Sequence, residues 1–86
     1  MPEISRFYGI VIRMFFDDHN PPHFHAVYGE DEAWFDINTM AVFNGNLPSR
    51  ALGLVVEWAS MHQTELYHNW ELARQQEKME KIPPLK

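Results

Sequence analysis

The chain is predicted to fold as a small α+β domain: an antiparallel β-meander of three or four strands, followed by one long or kinked amphipathic helix, alternatively two helices, packed on the sheet. Three observations predict it. Between Phe7 and Phe43 apolar residues recur with the period of two that marks strands. From Pro48 onward the period becomes helical. With 86 residues, 45% of them hydrophobic and 22% charged, the composition is that of one globular domain over residues 1–86.

The first strand is expected over Phe7 to Phe16, with Ile10, Ile12, Met14 and Phe16 on one side and Val11, Arg13 and Phe15 on the other. Both sides are largely apolar, which places it centrally in the sheet. The runs His23 to Gly29 and Glu32 to Ile37 flank Glu30-Asp31, and a two-residue loop there pairs Tyr28 with Ala33, Ala26 with Phe35 and Phe24 with Ile37 on one apolar face. The other face then carries His23, His25 and Val27 against Trp34, Asp36 and Asn38, with His25 directly across from Asp36. Ala41 to Phe43, closed by Asn44-Gly45-Asn46, adds a short fourth strand.

Pro48 suits a first helical turn, with Leu47 or Asn46 as the cap. Leu52, Val55, Val56, Ala59, Leu66, Trp70 and Ala73 fall within about a third of a helical wheel, so one helix is expected to run to about Gln76, with a break near Gln63 as the alternative. Trp58, Leu72, Leu54 and Met61 lie off this stripe and suggest a second apolar contact, a homodimer or a protein partner. Residues 78–86, with Pro83-Pro84, read as a frayed tail.

Several function classes are excluded or disfavoured. Without cysteine there is neither a disulfide framework nor a thiolate zinc site. No apolar run approaches the roughly 20 residues that cross a bilayer, and the start MPEISRF lacks a signal region, so a cytoplasmic protein without membrane contact is expected. Residues 1–47 carry the entire net charge of −5, because the charges of residues 48–86 balance. That acidic half also bears the histidine cluster, and its field favours a cation over a phosphate backbone. A nucleic-acid partner is disfavoured but stays open, since a metal or partner inverts the local potential.

Three of the five histidines, His19, His23 and His25, fall within seven positions around Pro21-Pro22. A His-x-His pair on a strand points both imidazoles to one side, a geometry that metal sites use. His19 in the preceding loop can fold over them, and Asp36 is a fourth ligand or the acceptor that orients His25. Nitrogen and oxygen donors of this kind suit a divalent transition metal: zinc, nickel, iron or manganese. A catalytic reading uses the same groups as general acid and base, with His23 or His25 transferring protons, Asp36 fixing a tautomer, and Arg13 or Arg6 stabilising a developing anion. Such a set can cleave RNA through its own 2′-hydroxyl. Against both stands a structural reading, in which the histidines pair with Asp17, Asp18 or Asp36 and lock the loop. His62 and His68 read as packing or surface residues, and no serine or glycine-rich stretch carries a nucleophile or phosphate-loop signature.

The opening Pro2-Glu3-Ile4-Ser5-Arg6-Phe7-Tyr8-Gly9-Ile10, the block Asp18-His19-Asn20-Pro21-Pro22-His23-Phe24-His25 with Tyr28-Gly29, the step Leu47-Pro48-x-Arg50-Ala51-Leu52, and Glu57-Trp58 with Asn69-Trp70 resemble the bacterial domain-of-unknown-function family 4160. The resemblance runs through nearly the whole chain. It implies a small stand-alone protein, encoded beside a member of the domain-of-unknown-function family 2442 in a toxin-antitoxin-like two-gene module; joined to the acid-base set read from the residues, this makes the chain an expected interaction component of such a module with RNA-directed acid-base activity. It assigns no catalytic residues. The alternative drawn from the residues is a transition-metal-binding module.

Overall fold

The computed structural model describes residues 3–16 and 18–86. Five strands, β1 (Glu3–Phe7), β2 (Ile10–Arg13), β3 (His23–Tyr28), β4 (Asp31–Asp36) and β5 (Val42–Gly45), precede two helices, α1 (Ser49–Met61) and α2 (Gln63–Arg74). The strands form one antiparallel sheet in the order β1-β2-β3-β4-β5. The α+β class and the meander are therefore as read, but the three or four strands are five.

The additional strand arises where one strand was expected over Phe7 to Phe16. Tyr8 and Gly9 both take positive φ, +50° and +80°, as the favoured two-residue hairpin turn requires. The chain reverses there, pairing Phe7 with Ile10 and Ser5 with Ile12. Apolar alternation continues across the turn and conceals it. Phe16, expected on the side of Ile10, Ile12 and Met14, is exposed where those three are buried.

The loop joining β3 to β4 is Gly29-Glu30, one residue earlier than expected, because Gly29 supplies the positive φ of +61° at its first position. The resulting register pairs Tyr28 with Asp31, Ala26 with Ala33 and Phe24 with Phe35. The shift is even, so every side chain keeps its predicted face. The partners change: His25 lies across from Trp34, and His23, not His25, lies across from Asp36.

The last strand is longer than expected, and Gly45 pairs with Ala33 within it beside an irregularity at Trp34/Phe35. Gly45 has φ +72°, and a Cβ there would run into the Glu32 carbonyl oxygen, to which Asn46 N–H donates at 3.1 Å. Gly45→Ala is accordingly expected to cost roughly 1–3 kcal/mol, read as a lower urea midpoint at unchanged slope.

One face of the sheet, with Phe7, Ile10, Ile12, Phe24, Ala26, Ala33, Phe35 and Ile37, is buried against α1. Trp58 packs on the rings of Phe7 and Phe24. Contrary to its placement as an off-stripe contact for a partner, Trp58 is fully buried, with Ala51, Val55 and Ala59 forming the inner stripe of α1. The helical segment is the two-helix alternative, broken at His62 beside Gln63. The physical reason is that each helix has its own substrate. While α1 lies on the sheet face, α2 is tied to the end of β4 by Gln63 Nε2 donating to the Ile37 carbonyl and Tyr67 Oη donating to Asn38 Oδ1. A wheel with one phase across both helices thus misplaced Trp58.

The tail beyond α2, expected to fray from residue 78, is docked along β1. Met79 and Ile82 are buried, Ile82 N–H donates to the Ile4 carbonyl at 2.8 Å, and Trp58 Nε1 donates to the Pro83 carbonyl at 2.9 Å. Asn69, itself buried, exchanges two hydrogen bonds with the Glu80 backbone. Among the described residues, no helix is long and apolar enough to cross a membrane.

Candidate metal centre

The face of the sheet away from the α1 core carries a row that crosses all five strands: Glu3, Arg13, His25, Trp34 and Asn44 are successive register partners. His23 is two residues along β3 from His25, and period-two alternation sets both imidazoles on this face. Both are buried, at 3% and 5% exposure. Burial is achieved within one chain: Phe15 packs edge-on against His25, Trp34 lies against both imidazoles, and Phe43 and Trp70 flank His23.

The loop after β2 returns across the histidines, through a cis Asn20–Pro21 peptide, and brings Asp18 onto them. Asp18 Oδ2 lies 3.1 Å from His23 Nε2 and 3.2 Å from His25 Nε2. These three groups, Asp18, His23 and His25, each offer one ligand atom within 4.8 Å of the others. Around them is a second set of contacts. His23 Nδ1 donates to the Pro21 carbonyl at 2.7 Å. His25 Nδ1 faces Glu32 Oε2 at 3.0 Å, and Trp34 Nε1 donates to the same oxygen at 3.1 Å.

This pattern constrains the protons. The Pro21 carbonyl can only accept, so His23 Nδ1 carries the hydrogen, and neutral His23 has its free lone pair on Nε2. Despite its 3.1 Å separation from Asp18 Oδ2, His23 Nε2 is buried and makes no hydrogen bond. His25 has an acceptor-only carboxylate at each ring nitrogen. His25 Nε2 is hydrogen-bonded to Asp18 Oδ2 at 3.2 Å, so of the two imidazoles only His23 Nε2 is left beside that carboxylate without a hydrogen-bond partner.

Burial alone would raise the Asp18 carboxyl, but hydrogen bonds from His25 and the His19 backbone, with the charges of His23 and His25, hold it below its usual value. Glu32 is lowered chiefly by its hydrogen bond from His25, against desolvation, with Trp34 and the charges of His25 and Arg13 helping. A depressed carboxyl stabilises the fold above its unfolded pKa and loses that contribution as pH falls through the lower folded value. Metal-free protein should therefore lose stability below about pH 4, and Asp18→Asn should flatten that acid limb in urea midpoints taken from pH 6 downward.

Of the residues singled out from sequence, His23 and His25 are brought together. His19 is exposed, and its backbone N–H donates to Asp18 Oδ1. Asp36 is on the same face beside His23, but its Oδ1 accepts from the Asn38 and Thr39 backbone and closes the turn after β4. Arg13 is half-buried across from His25, and Arg6 holds Glu3 at 2.8 Å. His62 pairs with Glu65, and the exposed His68 lies 3.6 Å from Glu80. Asp17, weighed as a pairing partner, lies outside the described residues. Asp18 was weighed only as a local partner and Glu32 not at all. Glu32 was legible had the loop been set at Gly29-Glu30, since it then becomes the diagonal cross-strand neighbour of His25; Asp18 sits in an irregular loop that no periodicity describes.

A family model described as Domain of unknown function (DUF4160) matches residues 9–71. No curated protein and no solved structure matches the chain.

Proposed function

The chain belongs to the domain-of-unknown-function family DUF4160, a description that assigns no chemistry, and from the site we propose that the protein binds one divalent transition metal ion through Asp18, His23 and His25. The observation that carries this reading is the buried Nε2 of His23, without a hydrogen bond, facing Asp18 and His25. Donors about 2.0–2.1 Å from a common ion, at octahedral or tetrahedral angles, stand about 2.8–3.4 Å apart. The 3.1 and 3.2 Å separations from Asp18 Oδ2 fall in that range. The hydrogen bonds of both Nδ1 atoms supply what metal-bound histidines usually have: a backbone carbonyl for His23 and a carboxylate for His25. Two imidazoles and one carboxylate suit zinc, iron, nickel or manganese, and leave positions open for water or a further ligand.

Calorimetric titration of the metal-free protein with zinc and nickel at neutral pH tests this reading, with His23→Ala/His25→Ala alongside and circular dichroism as a folding control. One saturable equivalent is expected in the wild type and none in the variant, with uptake falling as acid protonates the imidazoles. Absence of wild-type binding would refute it.

A second reading is supported by His25 alone, whose two ring nitrogens each face a carboxylate, an arrangement suited to holding a transferable proton. Here the metal-free pair is the acid-base centre of an RNA-directed component in a two-gene module, with a partner of the 2442 family. RNA cleavage that persists in chelator and vanishes in His25→Ala would favour it over the metal.

A further inference from the structure

We propose that the open coordination positions of this centre take the carboxylate of a small organic acid, with the Arg13 guanidinium as its second anchor; the inference rests on the metal reading above. Arg13 stands directly across from His25 on the neighbouring strand, on the same face. It is half-buried, yet among the described residues no hydrogen bond or ion pair engages it. Its nearest acidic neighbours are otherwise occupied. Glu3, its own register partner, is gripped at both oxygens by Arg6, and Glu32, within reach of its charge, accepts from His25 and Trp34 through Oε2. A planar fork of donors is thus left on the face of His25, within reach of Glu32 and without a hydrogen-bonded acceptor of its own, and a carboxylate matches that fork bidentately.

Charge and surface agree on the class. A divalent ion is offset by Asp18 and Glu32, and Arg13 leaves one residual positive charge, which a singly charged anion neutralises. A phosphate dianion would overcompensate in a chain whose net charge is already −5. The walls are aromatic: Phe15 and Trp34 lie against His25 with ring centroids 4.6 Å away, and Phe43 stands against His23 and Trp34. They suit the apolar body of an organic acid.

The test is cobalt(II) titrated into the metal-free wild type and Arg13→Gln, followed by benzoate or inorganic phosphate, read in the visible ligand-field spectrum. Arg13→Gln is expected to bind cobalt at least as tightly, since a nearby positive charge is removed. Benzoate should shift the wild-type spectrum saturably and bind about 10- to 100-fold more weakly in the variant, the loss of one charge-assisted contact. A cobalt site that benzoate leaves unchanged, or equal benzoate affinity in both proteins, would overturn the inference while leaving the metal centre intact. Phosphate binding tighter than benzoate would overturn the carboxylate class. Failure of cobalt to bind before any anion is added would remove the metal reading and this inference with it.

Discussion

Saturating zinc is expected to raise the midpoint of thermal unfolding by roughly 10–20 °C, and Asp18→Asn to remove most of that rise. A ligand at about 100 times its dissociation constant, bound only to the native state, adds about 2.7 kcal/mol. In a domain of this size each kcal/mol moves the midpoint by about 4–8 °C. The three donors come from a loop and a strand, so the unfolded chain presents them without the fixed spacing that the sheet provides, and native binding dominates. Asp18→Asn is the sharper variant than His23→Ala. Asp18 is at the site's edge, with 21% of its side chain exposed, whereas removing the His23 ring opens a hole among Trp34, Phe43 and Trp70 and leaves the Pro21 carbonyl unpaired. A differential scan with and without zinc separates the two effects: the metal-dependent increment reports the site, and the metal-free midpoint reports packing. An unchanged increment in Asp18→Asn would exclude Asp18 as a ligand.

The parts of this molecule legible in the sequence are those governed by a period. Alternation placed His23 and His25 on one face, and it survived a turn set one residue late, because that error moves the pairing by two and leaves faces unchanged. The same error put Asp36 opposite His25 and hid Glu32, for neighbours across strands depend on register where faces do not. Tyr8-Gly9 was missed because a tyrosine at positive φ is uncommon and the flanking alternation is continuous. The metal reading suffered most in the loop. His19 was the natural third ligand by spacing, yet the ligand-like contact comes from its neighbour Asp18, which the fold of the loop and the acceptor pattern of two imidazoles select. Tail docking was illegible for a related reason: Ile82 and Met79 are single apolar residues in a polar segment, and only the edge of β1 and the buried Asn69 give them a place.

Trp58→Ala is expected to cost about 3–5 kcal/mol, a large share of the 5–15 kcal/mol that a whole domain has, and to lower the melting midpoint by roughly 15 °C or more. Trp58 is fully buried. Its ring joins three otherwise separate parts: Phe7 on β1 at 5.3 Å, Phe24 on β3 at 6.0 Å, and His62 at the junction of the helices at 5.6 Å. Its Nε1 carries the hydrogen bond to Pro83 that helps hold the tail. Truncation therefore removes buried apolar area, leaves a cavity between sheet and helix, and frees a carbonyl. Trp58→Phe divides these contributions. It keeps most of the ring packing but loses the donor, so the cost should fall to about 1–3 kcal/mol, accompanied by faster proteolysis of residues 77–86. Because the His23 and His25 centre is on the opposite face of the sheet, Trp58→Phe should leave zinc affinity within a few-fold of wild type. Near-native stability of Trp58→Ala in urea unfolding would mean instead that the residue serves a surface contact, as its off-stripe position in the sequence had suggested.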